Sequence, residues 1–135
     1  MDSTRQKVLQ RLKDEIAFLD SGGYRRSPNF PWRARYIFEE SPSCPNFGKR
    51  TRPCRCVDCW LMEFVVSDRH ADQVPCRFVQ LTHLGVTVES LYRYGTLQET
   101  EETLRAWLQE RIRELEMQLA QVSQEARTVS FEEAR

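Results

Sequence analysis

Four of the five cysteines in this 135-residue chain crowd into residues 44–59, which read Cys44-Pro-Asn-Phe-Gly-Lys-Arg-Thr-Arg-Pro-Cys54-Arg-Cys56-Val-Asp-Cys59. The stretch is rich in Pro, Gly, Arg and Asn and poor in apolar side chains, so burial cannot hold it in one shape. A tetrahedral metal can. Two thiolates of a C-x-x-C pair sit on a tight turn that lets both sulfurs reach one ion at about 2.3 Å, and two further ligands close the site. Cys56 and Cys59 form that pair, and Cys44, between Pro42 and Pro45, offers a third sulfur on stiff backbone. The fourth place is open between Cys76, which would tie the loop to the body of the fold, and Cys54, which lies beside the pair. The predicted metal set is Cys44, Cys56, Cys59 and Cys76, with Cys54 as the alternative fourth ligand.

Zinc is the expected ion, because it is redox-inert and accepts any tetrahedral sulfur arrangement; four thiolates would also suit an iron-sulfur cluster. A redox role for Cys56-Val-Asp-Cys59 fits less well, since a reactive thiol belongs at a helix N-terminus after a strand and this one follows an Arg-Pro loop. An odd number of cysteines, most of them bunched, is a poor disulfide framework. His70 and His83 read as surface or structural histidines. Four thiolates leave no open coordination position for a substrate. The sequence also lacks a phosphate-cradling glycine loop, G-x-S-x-G, H-E-x-x-H and paired catalytic carboxylates. The reading is non-catalytic, with no small-molecule substrate.

The formal charge of zero hides an uneven distribution. Residues 21–56 carry eight Arg or Lys against Glu39 and Glu40, whereas Thr96 onward carries nine Glu against five Arg. In the basic part, Tyr24, Phe30, Trp32, Tyr36 and Phe38 alternate with cations. A nucleic-acid binder would use such rings for base stacking and Arg25, Arg26, Arg33, Arg35, Lys49, Arg50, Arg52 and Arg55 for phosphates, making residues 24–55 the interface. The plainer reading places the rings in the core and the cations in solvent.

These residues need elements to position them. With 40% hydrophobic residues the chain can fill the core of one modest domain. Its longest apolar runs fall far short of a bilayer span, and the first residues show no apolar signal region, so the expectation is a cytoplasmic protein with no membrane partner. Val8, Leu9, Leu12, Ile16 and Leu19 predict an amphipathic helix over 4–20, capped by Ser3 with Gln6 and stopped by Gly22-Gly23. Short strands are predicted at 34–38, 60–66, 77–82 and 86–88 from β-branched and aromatic residues. Thr96 and Glu99 form a capping box at the start of a long helix. Along it, Leu108, Ile112, Leu115, Leu119, Val122 and Ala126 recur at spacings of 4 and 3, a heptad seam.

The sequence therefore predicts an α+β fold: N-terminal helix, Cys-rich metal-binding loop, small antiparallel β-sheet and long C-terminal amphipathic helix. Residues 1–126 form a single zinc-braced domain and 127–135 a frayed tail. The predicted role is a cysteine-rich accessory module for protein interaction, forming a homodimer or meeting another protein by a coiled coil through Leu108, Ile112, Leu115, Leu119 and Val122. Nucleic-acid binding is the first alternative and a thiol redox or iron-sulfur role the second.

Overall fold

The computed structural model describes residues 2–25, 35–44, 46–47 and 59–133, with side chains in 4–25, 35–44, 46–47 and 59–124. Helix α1 spans Asp2–Asp20, so Ser3, expected as its cap, lies inside it. Val8, Leu12, Glu15 and Leu19, four and three residues apart, are its buried face. The helix ends where Gly22 takes φ +82°, a conformation that glycine adopts without steric cost. There the Gly23 N–H donates to the Phe18 carbonyl (2.9 Å) and the Gly22 N–H to that of Leu19 (3.0 Å), the paired bonds of a Schellman stop. The Phe18 ring lies so close to Gly23 that any Cβ there would meet it at 2.6 Å.

The long helix expected from Thr96 is preceded by a short one: α2 spans Val88–Tyr94 and α3 spans Leu97–Glu133. At the start of α3 the Glu99 N–H donates to Thr96 Oγ1 (3.1 Å) and the Thr96 N–H to Glu99 Oε1 (3.4 Å), completing the expected capping box. The helix continues through Glu133, past the predicted end of order at Ala126. The ion pairs Arg105–Asp20 (2.9 Å) and Lys13–Glu116 (3.5 Å) show that α1 and α3 run antiparallel, residue numbers rising on one as they fall on the other. Leu104, Trp107 and Leu108 meet the buried face of α1 in one core with Leu61, Met62, Val65, Val79, Leu81, Val88 and Leu91.

The predicted sheet is absent among the described residues. Its place is taken by three 3-10 helices, Trp60–Phe64, Ser67–Arg69 and Pro75–Phe78, and by two isolated antiparallel bridges, Val65 with Val79 and Gln80 with Thr87. The apolar run at 60–66 suggests a buried strand, but a run this short satisfies a helical turn equally well, and Leu61 and Met62 are buried in the 3-10 turn. Pro75 opens its turn because its fixed φ suits a first helical position and its missing N–H is not needed there. The strand expected at 86–88 fails because Thr87 is a helix cap: its hydroxyl accepts from the Ser90 N–H (3.2 Å), and Ser90 Oγ accepts from the Thr87 N–H (2.9 Å). The strand expected at 34–38 is a turn over 37–40 following Arg35 and Tyr36; Ala34 lies outside the described residues.

Candidate functional site

The segment that leads into the cysteine-rich stretch, residues 36–44, has no regular structure, yet it is fastened on three sides. From α2, the Tyr92 hydroxyl accepts the Ile37 N–H (2.7 Å), and burial pushes that phenol well above its ordinary pKa. From the Pro75–Phe78 turn, the Arg77 guanidinium donates to both oxygens of Glu39 (2.8 and 3.3 Å) and lies over the rings of Tyr36 (5.1 Å) and Tyr92 (5.9 Å). From α1, Glu15 reaches in among Tyr24, Ser41 and Ser43.

This last cluster is sealed, with all four residues no more than 3% exposed. Tyr24 donates to Glu15 Oε2 (2.5 Å) and accepts the Phe38 N–H (3.1 Å); Ser41 and Ser43 both bond Glu15 Oε1. Burial raises the Glu15 carboxyl above its ordinary 4.5, against the lowering effect of the three hydroxyls, and burial with the nearby Glu15 raises the Tyr24 phenol. Phe38 sits at φ +67°, a left-handed conformation costing a bulky residue about 1–2 kcal/mol. Its ring packs edge-to-face on Trp107 (6.0 Å), which holds it there. A serine beside a carboxylate suggests nucleophilic chemistry, but a pair closed to solvent cannot meet a substrate. Sequence reasoning missed Glu15, Ser41 and Ser43. The available signal was a lone carboxylate in the apolar stripe Val8, Leu12, Leu19.

Of the predicted metal ligands, Cys44, Cys59 and Cys76 are described, each half-buried; Cys54 and Cys56 lie outside the described residues. Cys44 follows the sealed cluster, its N–H donating to the Ser41 carbonyl (3.1 Å). Cys59 is the N-cap of Trp60–Phe64, Cys76 lies within Pro75–Phe78, these two turns touch, and both thiols pack against the core. As a strand, five residues would extend about 17 Å; as a 3-10 helix they rise about 10 Å. The turn thus shortens the path between the Val65–Val79 bridge and Cys59. Among the described residues, no three of His, Cys, Asp or Glu converge on a point that could hold a metal. His70 Nε2 donates to the Val65 carbonyl (2.7 Å), and His83 lies exposed on a turn.

Of the predicted nucleic-acid contacts, Arg25 pairs with Glu101 (3.2 Å) and Arg35 lies over the Phe47 ring (5.8 Å). Arg26, Arg33, Lys49, Arg50, Arg52 and Arg55 lie outside the described residues. Tyr24 and Phe38, expected as stacking rings in that reading, are buried.

The α3 seam divides in two. Leu108 is fully buried in the core, and Ile112 and Leu115 are half-buried against it, so this part is covered within the chain. Leu119 and Val122 continue the same stripe half-buried, without belonging to the core cluster. No helix among the described residues is long and apolar enough to cross a membrane. Comparison of the chain with protein families, curated proteins and solved structures finds no match.

Proposed function

We propose that this chain is a small non-catalytic accessory module that self-associates through the distal half of α3, with a zinc ion bracing its cysteine-rich stretch. The observation that carries this reading is where the core stops: α3 goes on from Leu115 to Glu133 with Leu119 and Val122 on the same stripe but outside the core. Helix α1, of 19 residues, is about 28 Å long, and α3, of 37, about 56 Å. The shorter helix cannot cover the longer. A second copy suits this half-buried stripe because the flanking residues Gln118 and Ser123 are uncharged, so two identical helices meet no like-charge repulsion there.

Leu119 and Val122 are already half-buried, so burying the rest of them in both chains is worth about 3–6 kcal/mol, half of what fully exposed side chains would give. Association itself costs roughly 4–15 kcal/mol. The dimer is therefore weak and concentration-dependent. Zinc is supported by the spacing of Cys44, Cys54, Cys56 and Cys59 and by the adjoining turns that carry Cys59 and Cys76. Cys56 or Cys54 would complete the site with them.

Sedimentation across a concentration series tests the self-association. The wild-type chain should pass from monomer to dimer by hundreds of micromolar, and Leu119→Lys with Val122→Lys should remain a monomer of unchanged helicity. A wild-type chain that stays monomeric throughout would refute the reading.

A further inference from the structure

A hydrogen on Glu15 lets more of the sealed cluster's contacts act as hydrogen bonds at once than its three hydroxyls alone allow. Five contacts join these groups: Tyr24 to Glu15 Oε2, Ser41 and Ser43 each to Glu15 Oε1, Ser41 to the Phe38 carbonyl (3.0 Å), and Ser41 to Ser43 (2.9 Å). The three hydroxyls have three hydrogens, enough for three contacts when Glu15 is a carboxylate. Ser41 must then choose between Glu15 and the Phe38 carbonyl. A proton on Oε1 resolves the choice: Glu15 donates to Ser43, Ser43 to Ser41, Ser41 to the Phe38 carbonyl, and Tyr24 to Oε2. Four of the five contacts then hold a hydrogen.

The charged surroundings favour the same state. On its own helix Glu15 is flanked by the carboxylate of Asp14. Tyr24 from the turn after α1, and Ser41 and Ser43 from the clamped segment, are the other groups facing it, and no described Lys, Arg or His pairs with it.

We propose that Glu15 is a proton-operated latch: carrying its proton, it closes a ring of hydrogen bonds that fastens residues 38–44 to α1, and on losing the proton it loosens that segment. The sign follows from linkage. A carboxyl whose closed-state pKa is raised holds the latch fully below its ordinary 4.5 and loses it as pH rises toward its own midpoint, above which the loss levels off. Within that window, opening increases about tenfold per pH unit, because one proton leaves with each opening event.

Amide hydrogen exchange on the intact chain, corrected for the intrinsic rate, reads this directly. Between pH 4.5 and the Glu15 midpoint, protection of the Phe38 and Cys44 amides should fall about tenfold per unit, while that of Leu108 in α3 stays constant. In Glu15→Gln, a neutral side chain that donates and accepts in the same places, protection of Phe38 and Cys44 should not depend on pH. Should that variant not fold, the wild-type Glu15 Cδ resonance gives the midpoint by NMR. A midpoint at or below 4.5, or a Glu15→Gln chain as pH-sensitive as wild type, overturns the proposal.

Discussion

Arg77 shows how one side chain does several jobs whose sum matters although each is small. It pairs with Glu39 through two nitrogens and lies over Tyr36 and Tyr92, joining the clamped segment, α2 and the Pro75–Phe78 turn. A partly exposed ion pair contributes about 0–1 kcal/mol. A cation above a ring adds about 0.5–1 kcal/mol. Lysine retains the charge but has neither the two-pronged donor nor the flat face. Arg77→Lys should therefore cost about 1–2 kcal/mol, read as a fall in melting temperature; a loss of a few tenths would mean that the stacking contributes nothing. The same scale shows where the sequence was legible. Tyr24, Tyr36 and Phe38 stood out as rings among cations, but their use could not be read, because the partners Glu15, Tyr92 and Trp107 are brought to them by tertiary packing.

Among the elements, α1 and α3 were legible because long amphipathic periodicity and paired stop or cap signals agree with each other over many residues. The 3-10 helices and α2 were not, because a turn of five residues is too short to show a period and a Val-Thr-Val triplet suggests a strand as readily as a helix start. The missed signal was Val88, Leu91 and Tyr92 at helical spacing behind Thr87 and Ser90. Only seven residues long, α2 cannot persist on propensity alone and depends on its cap and on burying Val88 and Leu91. Thr87→Ala removes the acceptor for the Ser90 N–H and should cost about 1 kcal/mol. Because Tyr92 on α2 accepts the Ile37 N–H, the loss should also appear as faster exchange of the Ile37 amide. Unchanged Ile37 exchange in a destabilised variant would show that α2 and the clamped segment open independently.

For the molecule as a whole, the question is whether the cysteine-rich stretch helps to hold up the fold or hangs from it. Its two ends are tied to the fold by contacts of their own: Cys44 follows residues fastened to α1, α2 and the Pro75–Phe78 turn, and Cys59 caps a turn buried through Leu61 and Met62. The core is made by α1, α2, α3 and the short turns, and within the described residues it rests on no convergence of metal ligands. The proposed zinc would then add to a fold already held by that core, rather than supply the whole folding free energy as it does in a domain unfolded without metal. Protein purified under reducing conditions should therefore contain about one zinc per chain. Removing it with a chelator, or making Cys56→Ser or Cys59→Ser, should abolish the metal while leaving the helical circular dichroism intact. At about 3–6 °C per kcal/mol for a chain of this size, a loss of 1–2 kcal/mol would lower the melting temperature by several degrees rather than unfold the protein. Complete loss of helix on chelation would make the metal part of the core's stability, and zinc-free protein with the wild-type melting temperature would remove it from the account altogether.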